Sequence, residues 1–250
     1  MFWKNSFIRY NILMSLEGSQ KPKIAEVVSI VAHQLKTPLS VIKGYVEVLL
    51  EGDIGKINKK QKEYLSDTFE NIHRMAKIVN YLLDVSRIEE RRYELKLAKT
   101  SLEEITQQVI KNLSSWVKAS NCKIIFKKSL PIPKVFIDSL KVQQVIENLI
   151  SNALKYKNPG QGKIEISLKK VGRNVLFFCK DNGIGIPKED LKKIFTKFYR
   201  SEKAVEADPS GTGLGLYINK AIIELNDGKI WVKKNKGQGL TFYFTLPIVK

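Results

Sequence analysis

The stretch AHQLKTPLSVIKG, residues 32–44, places a histidine directly before a glutamine and five residues before a proline. Apolar residues at Val31, Leu35 and Leu39 recur in steps of four and predict a helix with an apolar seam. His33 is two residues from Val31 and from Leu35, about 200° around a helix axis, so we expect it to face solvent. A neutral imidazole is a good nucleophile near pH 7, and group transfer is therefore the chemistry that it offers.

Pro38 lies inside the same predicted helix. A proline there removes the hydrogen bond to the carbonyl of Gln34 and costs about 3 kcal/mol. A bend one turn beyond an exposed histidine favours a functional interpretation of His33. The second histidine, His73, has no such surroundings and is interpreted as a solvated residue of a helical bundle.

A second group of polar residues lies in QQVIENLISNALKY, residues 143–156. Asn148, Asn152, Lys155 and Tyr156 share one helical face. Amide oxygens, an ammonium group and an aromatic ring suit a magnesium ion, phosphates and a base or ribose. Asparagine is a poor helix former, so a merely solvated face would not need these residues.

Two glycine-rich segments follow. In DNGIGIP, residues 181–187, Asp181 can accept the exocyclic N–H of adenine, while Gly183 and Gly185 let the backbone approach the ring. In GTGLGLYI, residues 211–218, backbone amides lead into a helix and can meet phosphate oxygens. This segment is neither a dinucleotide fingerprint, since a polar stretch precedes it, nor a P-loop, since the lysine is missing. Its candidate ligand-binding residues are Gly211, Gly213, Gly215 and Leu216.

Two kinds of element must position these residues. Residues 24 to about 90 show helical periodicity on both sides of the turn EGDIGKIN and predict a helical hairpin. Two helices make a thin core, so we expect the hairpin to dimerise into a four-helix bundle. Strand-like runs, among them CKIIFKK (122–128) and NVLFFCKD (174–181), and helices then predict an α/β sandwich with a mixed sheet and helices on one face, giving an α+β fold overall. The closing runs GKIWVKKN (228–235) and LTFYFTLP (240–247) are expected to be adjacent strands. The expected divisions are an N-terminal segment or linker remnant at 1–22, the hairpin at 23–93 and the sheet domain at 94–250.

The composition widens the range of partners. The 250 residues carry a formal net charge of +18, so phosphate ligands, nucleic acid and anionic membranes all come into question. The lysines are spread over many segments and no platform of aromatic and basic residues stands out, so we expect no nucleic-acid partner. Cys122 and Cys179 lie far apart, and two reduced thiols in strands are expected of a cytoplasmic chain.

The first residues are apolar but interrupted by charges. No run in residues 1–16 approaches the roughly 20 apolar residues of a membrane span. An apolar stripe at helical spacing can either dock on the protein or rest on a membrane surface, and docking is the favoured alternative. The stripe consists of Trp3, Phe7, Tyr10 and Met14.

Taken together, these motifs carry a family resemblance. HQLKTPLSVIKGYVEVLL resembles the phosphoacceptor box of bacterial sensor histidine kinases, and YLLDVSRIEE resembles the end of that family's second hairpin helix. In order along the chain, five further stretches resemble the N, G1, F, G2 and final glycine boxes of the family's Bergerat-type ATP-binding domain. They are NLISNALKY, DNGIGI, FTKFYR, GTGLGLYI and GQGLTFYFTLP. The resemblance covers about residues 23–250.

The resemblance implies a homodimeric kinase that uses ATP and Mg²⁺. His33 would take the γ-phosphoryl group and pass it to an aspartate of a response regulator. Asn152 would bind magnesium with Asn148 as its partner, Lys155 would lie at the phosphates, Tyr156 near the base and Asp181 at adenine. Residues 200–212 would form a mobile lid anchored by Phe195 and Phe198.

Two positions beside His33 refine that expectation. The family commonly has an acid after the phosphoacceptor, whereas this chain has Gln34, so we expect a slow but active kinase. Thr37 matches the position that in this family positions water for dephosphorylating the regulator, so a second activity as a phosphatase is a hypothesis. Together with His33, these two residues form the expected catalytic set.

Two other functions stay open at this point. The first is a catalytically silent, ATP-responsive dimerisation module, which Gln34 favours. The second is a relative of the Bergerat-type chaperone and topoisomerase ATPases. Those enzymes place an acid on the nucleotide-site helix, and this chain has Glu147 beside that position but Asn148 on the polar face.

Overall fold

A computed structural model describes residues 24–128 and 131–249. The described chain divides into two compact units, one ending at Tyr93 and one beginning at Glu94. The apolar stripe expected in residues 1–16 lies outside the described residues. Among the described helices, none has both the length and the apolar content that crossing a bilayer requires.

The first unit is the predicted helical hairpin. Helix α1 spans Ile24–Glu51 and continues through Pro38, and helix α2 spans Lys59–Glu89. Asn58 caps α2 with a reciprocal pair of bonds: its side chain accepts from the N–H of Gln61 at 2.9 Å, and its own N–H donates to the Gln61 side chain at 2.8 Å. Such a capping box fixes where the second helix begins.

The hairpin core is narrower than the sequence suggested. Ala32 and Leu39 on α1 pack with Val79 and Leu83 on α2, and Val46 and Ile72 are also buried. In contrast, Val31, Leu35 and Ile42 are 44%, 41% and 47% exposed in the single chain, so α2 does not cover them. One partner helix covers only the stripe that repeats every seven residues, which here runs through Ala32, Leu39 and Val46.

The second unit holds a five-stranded mixed sheet in the order β2-β4-β5-β7-β6. The β2–β4 pair is parallel, and the other neighbours are antiparallel. The strands of this sheet are β2 Cys122–Lys128, β4 Gly162–Val171, β5 Asn174–Asp181, β6 Lys229–Lys234 and β7 Leu240–Pro247. The mixed sheet and the pairing of the last two strands confirm the predicted architecture.

A smaller sheet and the helices complete this unit. β1 Ala98–Thr100 pairs antiparallel with β3 Val135–Ile137, and β1 was not predicted because three residues show no alternation. The helices are α3 Leu102–Asn112, α4 Ser114–Ala119, α5 Ser139–Lys155, α6 Glu202–Ala207 and α7 Gly215–Leu225. Asp138 begins α5: its carboxylate accepts the N–H of Lys141 at 3.1 Å and that of Lys96 at 2.9 Å.

The two faces of the large sheet differ. Helices α5 and α7 pack on the inner face, where Phe177 and Phe244 stack with ring centroids 4.5 Å apart. On the outer face, Phe178, Tyr243 and Trp231 form an aromatic row. Lysine ammonium groups lie 5.9–6.0 Å from two of these rings. The expectation that no aromatic and basic platform exists is therefore wrong for this face.

Candidate functional site

His33 is exposed on α1, as the sequence predicted, and so are Gln34 and Thr37. The reason differs from the one expected, because His33 lies about 100° from the buried Ala32 and not opposite a Val31–Leu35 seam. His73 on α2 is also exposed, and its ring makes an edge contact with Phe69 at 4.5 Å. The first unit thus presents two accessible imidazoles on different helices.

The polar face of α5 is partly buried. Asn148 is buried, and its side-chain N–H donates to Oδ1 of Asn219 on α7 at 3.1 Å. Asn152 and Tyr156 are half-buried, whereas Lys155 is exposed and forms an ion pair with Asp208 at 3.0 Å. These four residues therefore follow one face of the helix from the unit's interior to its surface.

Asp181 ends β5 in a mostly buried position. Its Oδ1 accepts the N–H of Gly183 at 2.8 Å and the N–H of Leu240 at 3.2 Å. Burial raises the pKa of this carboxyl group, and the backbone N–H donors only partly offset that rise. Burying a carboxylate in this way costs free energy, and such residues are typical of ligand-binding sites.

Two glycines let the backbone close around Asp181. A Cβ at Gly239 would lie 2.1 Å from the carbonyl oxygen of Asp181, and one at Gly183 would lie 2.3 Å from the carbonyl oxygen of Tyr156. The N–H of Ile184 also donates to that Tyr156 oxygen at 2.9 Å. The end of α5, the DNGIGIP segment and the β6–β7 loop therefore converge, with no room for larger residues.

The second glycine segment packs closely against two other parts of the unit. Gly213 has φ of +70°, and a Cβ there would lie 2.6 Å from the backbone of Phe198. A Cβ at Gly215, the first residue of α7, would lie 2.7 Å from the Asn148 side chain. Leu214 before it makes no side-chain capping bond, so the first amides of α7 stay available to an anion beside Asn148.

The remaining predicted residues are spread along these segments. Gly185 has φ of +67° and sits in the loop after Asp181, while Gly211 packs against the guanidinium of Arg200. Leu216 is half-buried in the first turn of α7. Phe195 is half-buried, but the Phe198 ring is 65% exposed, so the expected anchoring by that ring is wrong.

Arg200 takes the place of that anchor. Its guanidinium donates to the carbonyl oxygens of Ala204, Asp208, Pro209 and Gly211. Partial burial acts to raise the pKa of Asp208, but hydrogen bonds from Ser210 and Lys155 outweigh it and hold the pKa below its ordinary value. Residues 200–211 are thus organised around one cation, which the sequence reasoning missed.

Asn219 is the other missed residue. It is buried, its Oδ1 accepts from Asn148, and its own side-chain N–H has no hydrogen-bond partner among the described residues. Its position one turn after Gly215 on α7 was the signal that could have identified it. The buried Asn219 amide next to Asn148 can therefore still donate a hydrogen bond, for example to a ligand.

The donor set fits magnesium together with phosphates. Asn148 uses its N–H₂ group toward Asn219, which leaves its Oδ1 as an acceptor, and Asn152 supplies a second amide oxygen one turn later. Mg²⁺ takes oxygen ligands and binds through a few protein groups plus substrate phosphates. No cluster of three or more His, Cys, Asp or Glu side chains that could hold a metal alone occurs in the described residues.

Family comparisons divide the chain in two. Residues 23–91 match the model described as His Kinase A (phospho-acceptor) domain. Residues 137–250 match the model described as Histidine kinase-, DNA gyrase B-, and HSP90-like ATPase.

Curated relatives extend the likeness along the chain. The chain is 35% identical over 226 residues to Sensor protein kinase WalK of Staphylococcus haemolyticus, covering 89% of this chain and 36% of the relative. It is 34% identical to the protein of the same name in Staphylococcus aureus, covering 89% and 53%. The chain therefore spans about a third to a half of the length of these relatives.

Solved structures share the fold. The full-length ShkA structure in complex with AMPPNP matches with a TM-score of 0.73 at 24% identity, over 90% of this chain and 46% of that one. The catalytic domain of histidine kinase ThkA matches with a TM-score of 0.55 at 29% identity, over 62% and 97%.

Proposed function

The chain belongs to the bacterial two-component sensor histidine kinases, and from this premise we propose that it transfers the γ-phosphoryl group of ATP to His33. The phosphoryl group then passes to an aspartate of a response regulator. The observation that carries the proposal is Asp181, a mostly buried carboxylate whose Oδ1 is already held by two backbone N–H groups. Both of these bonds use Oδ1, so Oδ2 can accept a hydrogen bond from the exocyclic amine of adenine.

The second unit aligns the nucleotide and contributes no nucleophile. Lys155 and the first amides of α7 would meet the phosphates, and Asn152, with Asn148 beside it, would hold Mg²⁺. The metal, when bound, neutralises the charge that develops between the β- and γ-phosphates. Positioning and charge neutralisation are the main requirements of phosphoryl transfer, so this set of residues is sufficient.

At His33, an unprotonated imidazole nitrogen attacks the γ-phosphorus, and the bond to the oxygen bridging the β- and γ-phosphates breaks, releasing ADP. The proton on the other ring nitrogen must leave to yield a neutral phosphoimidazole. The Gln34 amide oxygen can accept a hydrogen bond from that N–H but cannot take its proton, so the proton passes to solvent. We therefore expect a slow transfer.

The two exposed histidines give a matched test. Incubation with γ-labelled ATP and Mg²⁺ should label the protein through a bond that is labile in acid and stable in base. His33→Ala should abolish the label, whereas His73→Ala should keep it. Label that survives in His33→Ala contradicts the assignment. Release of free phosphate without label would indicate an ATPase, and neither product would indicate the silent module.

The same helix carries the proposed second activity. Thr37 lies one turn after His33 and is exposed, so it can orient a water molecule toward a phosphorylated regulator that docks there. Thr37→Ala should lower dephosphorylation of the regulator more than it lowers autophosphorylation. Equal losses would remove the phosphatase role.

Dimerisation is proposed from the apolar side of α1. Val31, Leu35 and Ile42 are exposed in the single chain on one side of the helix, and Val27 and Tyr45 adjoin them. Burying such side chains contributes about 1.5–3 kcal/mol each, which favours a second hairpin as their partner. The homodimer is then a four-helix bundle.

A further inference from the structure

The outer face of the five-stranded sheet is a surface that the proposed kinase activity does not use. Strand register places Phe178, Tyr243 and Trp231 side by side on three neighbouring strands. The Phe178 and Tyr243 ring centroids are 5.9 Å apart, and those of Tyr243 and Trp231 are 5.3 Å apart. The three rings form a continuous aromatic row across β5, β7 and β6.

A row of lysines lies on each side of the aromatic row. Lys180 and Lys233 align through Thr241 on one side, and Lys169 and Lys229 align through Leu176 and Thr245 on the other. The Nζ of Lys169 lies 6.0 Å from the Phe178 ring centroid, and that of Lys233 lies 5.9 Å from the Tyr243 centroid. The apolar rings are therefore framed by positive charge.

The charge on this face is not balanced within the sheet. Lys123 and Lys163 are register neighbours on β2 and β4, and two like charges side by side destabilise a sheet. Along the described strands of this face, Glu165 is the one outward carboxylate, and Lys127 already binds it at 3.3 Å. An anionic partner would relieve this repulsion.

We propose that this outer face binds the surface of an anionic lipid bilayer. Lysines near an anionic surface attract it, and Trp and Tyr are the aromatic residues that favour the boundary between water and lipid. No side chain of this face holds a buried polar atom that lacks a hydrogen-bond partner among the described residues. Its charges are spread over several strands, and fluid headgroups can move to meet each lysine.

A single-stranded nucleic acid fits this face less well. Its bases bind by stacking on free aromatic faces. Here Trp231 and Tyr243 stack on each other with only 6° between their planes, and lysines lie over Tyr243 and Phe178. With a bilayer on the outer face, the helices on the inner face of the sheet point away from the lipid.

The test compares two triple variants of the whole chain with equal charge change. Lys180→Gln, Lys229→Gln and Lys233→Gln remove three positive charges from the outer face. Lys59→Gln, Lys60→Gln and Lys62→Gln neutralise three exposed lysines in the first turn of α2. Binding is measured by co-sedimentation with phosphatidylcholine vesicles, with and without phosphatidylglycerol. Both variants retain residues 1–22, so any binding by that segment cancels in the comparison.

The wild type should sediment with the anionic vesicles and not with pure phosphatidylcholine. One lysine near an anionic surface contributes about fivefold, so the outer-face variant should bind about 100-fold more weakly. The α2 variant should lose far less, and both should keep the wild-type unfolding temperature.

Equal losses in the two variants would overturn the proposal, because net charge alone would then explain binding. Failure of the wild type to bind anionic vesicles would also overturn it. A labelled single-stranded oligonucleotide that binds the wild type when the vesicles do not would assign the face to nucleic acid instead. None of these results depends on phosphorylation of His33, so the kinase proposal is tested separately.

Discussion

At the level of individual residues, the effect of Gln34 on the rate of His33 phosphorylation can be tested most directly. It is exposed beside His33, where its amide oxygen can orient the imidazole but cannot stabilise positive charge on it. We predict that Gln34→Glu raises the rate of autophosphorylation by about tenfold or more, because a carboxylate can accept the proton. The measurement is the initial rate of labelling from γ-labelled ATP, with Gln34→Asn as the control of equal charge. A rate in Gln34→Glu that equals or falls below the wild type would contradict this.

Asp181 gives a prediction about pH. Burial raises the pKa of this carboxyl group above its ordinary value of 3.8, so the ionised form costs more free energy in the folded chain than in the unfolded chain. The stability that this group contributes is present below pH 3.8 and is lost as pH rises through the raised pKa. Asp181→Asn should therefore unfold at a higher temperature than the wild type at pH 7 and above, and the difference should shrink toward pH 4.

The same variant should bind ATP at least tenfold more weakly, since it loses a charged hydrogen-bond acceptor. Thermal unfolding at several pH values and nucleotide titration together measure both effects. A variant that is less stable at pH 7 would show that the carboxylate serves the fold and not a ligand.

At the level of individual residues, the sequence motifs predicted only part of the site. Asp181 and the asparagines of α5 could be identified because they stand in short, ordered patterns. Asn219 and Arg200 could not, because Asn219 acts through a side chain 71 positions away and Arg200 binds backbone carbonyls, which leave no trace in residue type. Phe198 was misjudged since an aromatic residue in a motif does not reveal whether its ring is buried.

Among the elements, strands that alternate between a buried and an open face were predictable. The strands 122–128, 174–181 and 240–247 have the predicted bounds, since apolar residues at every second position define them. β1 and α6 are too short to show a period. The apolar seam predicted for α1 is wider than the stripe that α2 covers, because residue type does not reveal which neighbour an apolar side chain faces.

The apolar side of α1 permits a prediction about assembly. Leu35→Glu should weaken the homodimer by about 100-fold or more, because a carboxylate replaces a side chain that the second hairpin buries. Ser40→Glu adds the same charge at an exposed position on the other side of α1 and should leave the dimer intact. Sedimentation velocity measures both, and circular dichroism should show unchanged helix content. A dimer equally stable in both variants would place the interface elsewhere.

For the whole molecule, the two compact units imply two unfolding transitions. Mg²⁺ with a non-hydrolysable ATP analogue at about 100 times its Kd should raise only the transition of the second unit, by roughly 5 to 10 °C. Differential scanning calorimetry measures the shift. Chelating the metal should reduce it, and Asp181→Asn should reduce it by about half or more at the same analogue concentration. A shift of both transitions by the same amount would mean that the units unfold together.

The distribution of charge is also visible only in the whole molecule. Lysines that lie up to about 110 positions apart in sequence, such as Lys123 and Lys233, share one side of a sheet because strand order brings them together. The sequence showed a large positive charge without showing where it gathers. Pairing order is set by long-range contacts, which a reading along the chain does not contain.

The four bonds from Arg200 to backbone carbonyl oxygens limit how the sequence of this segment can vary among related proteins. The acceptors of the Arg200 guanidinium are main-chain oxygens, which every amino acid provides, so residues 204–210 can change type without losing these bonds. Adding or removing one residue there would instead displace the acceptors from the guanidinium. Natural variants should therefore tolerate many substitutions but few insertions or deletions between the arginine and Gly211.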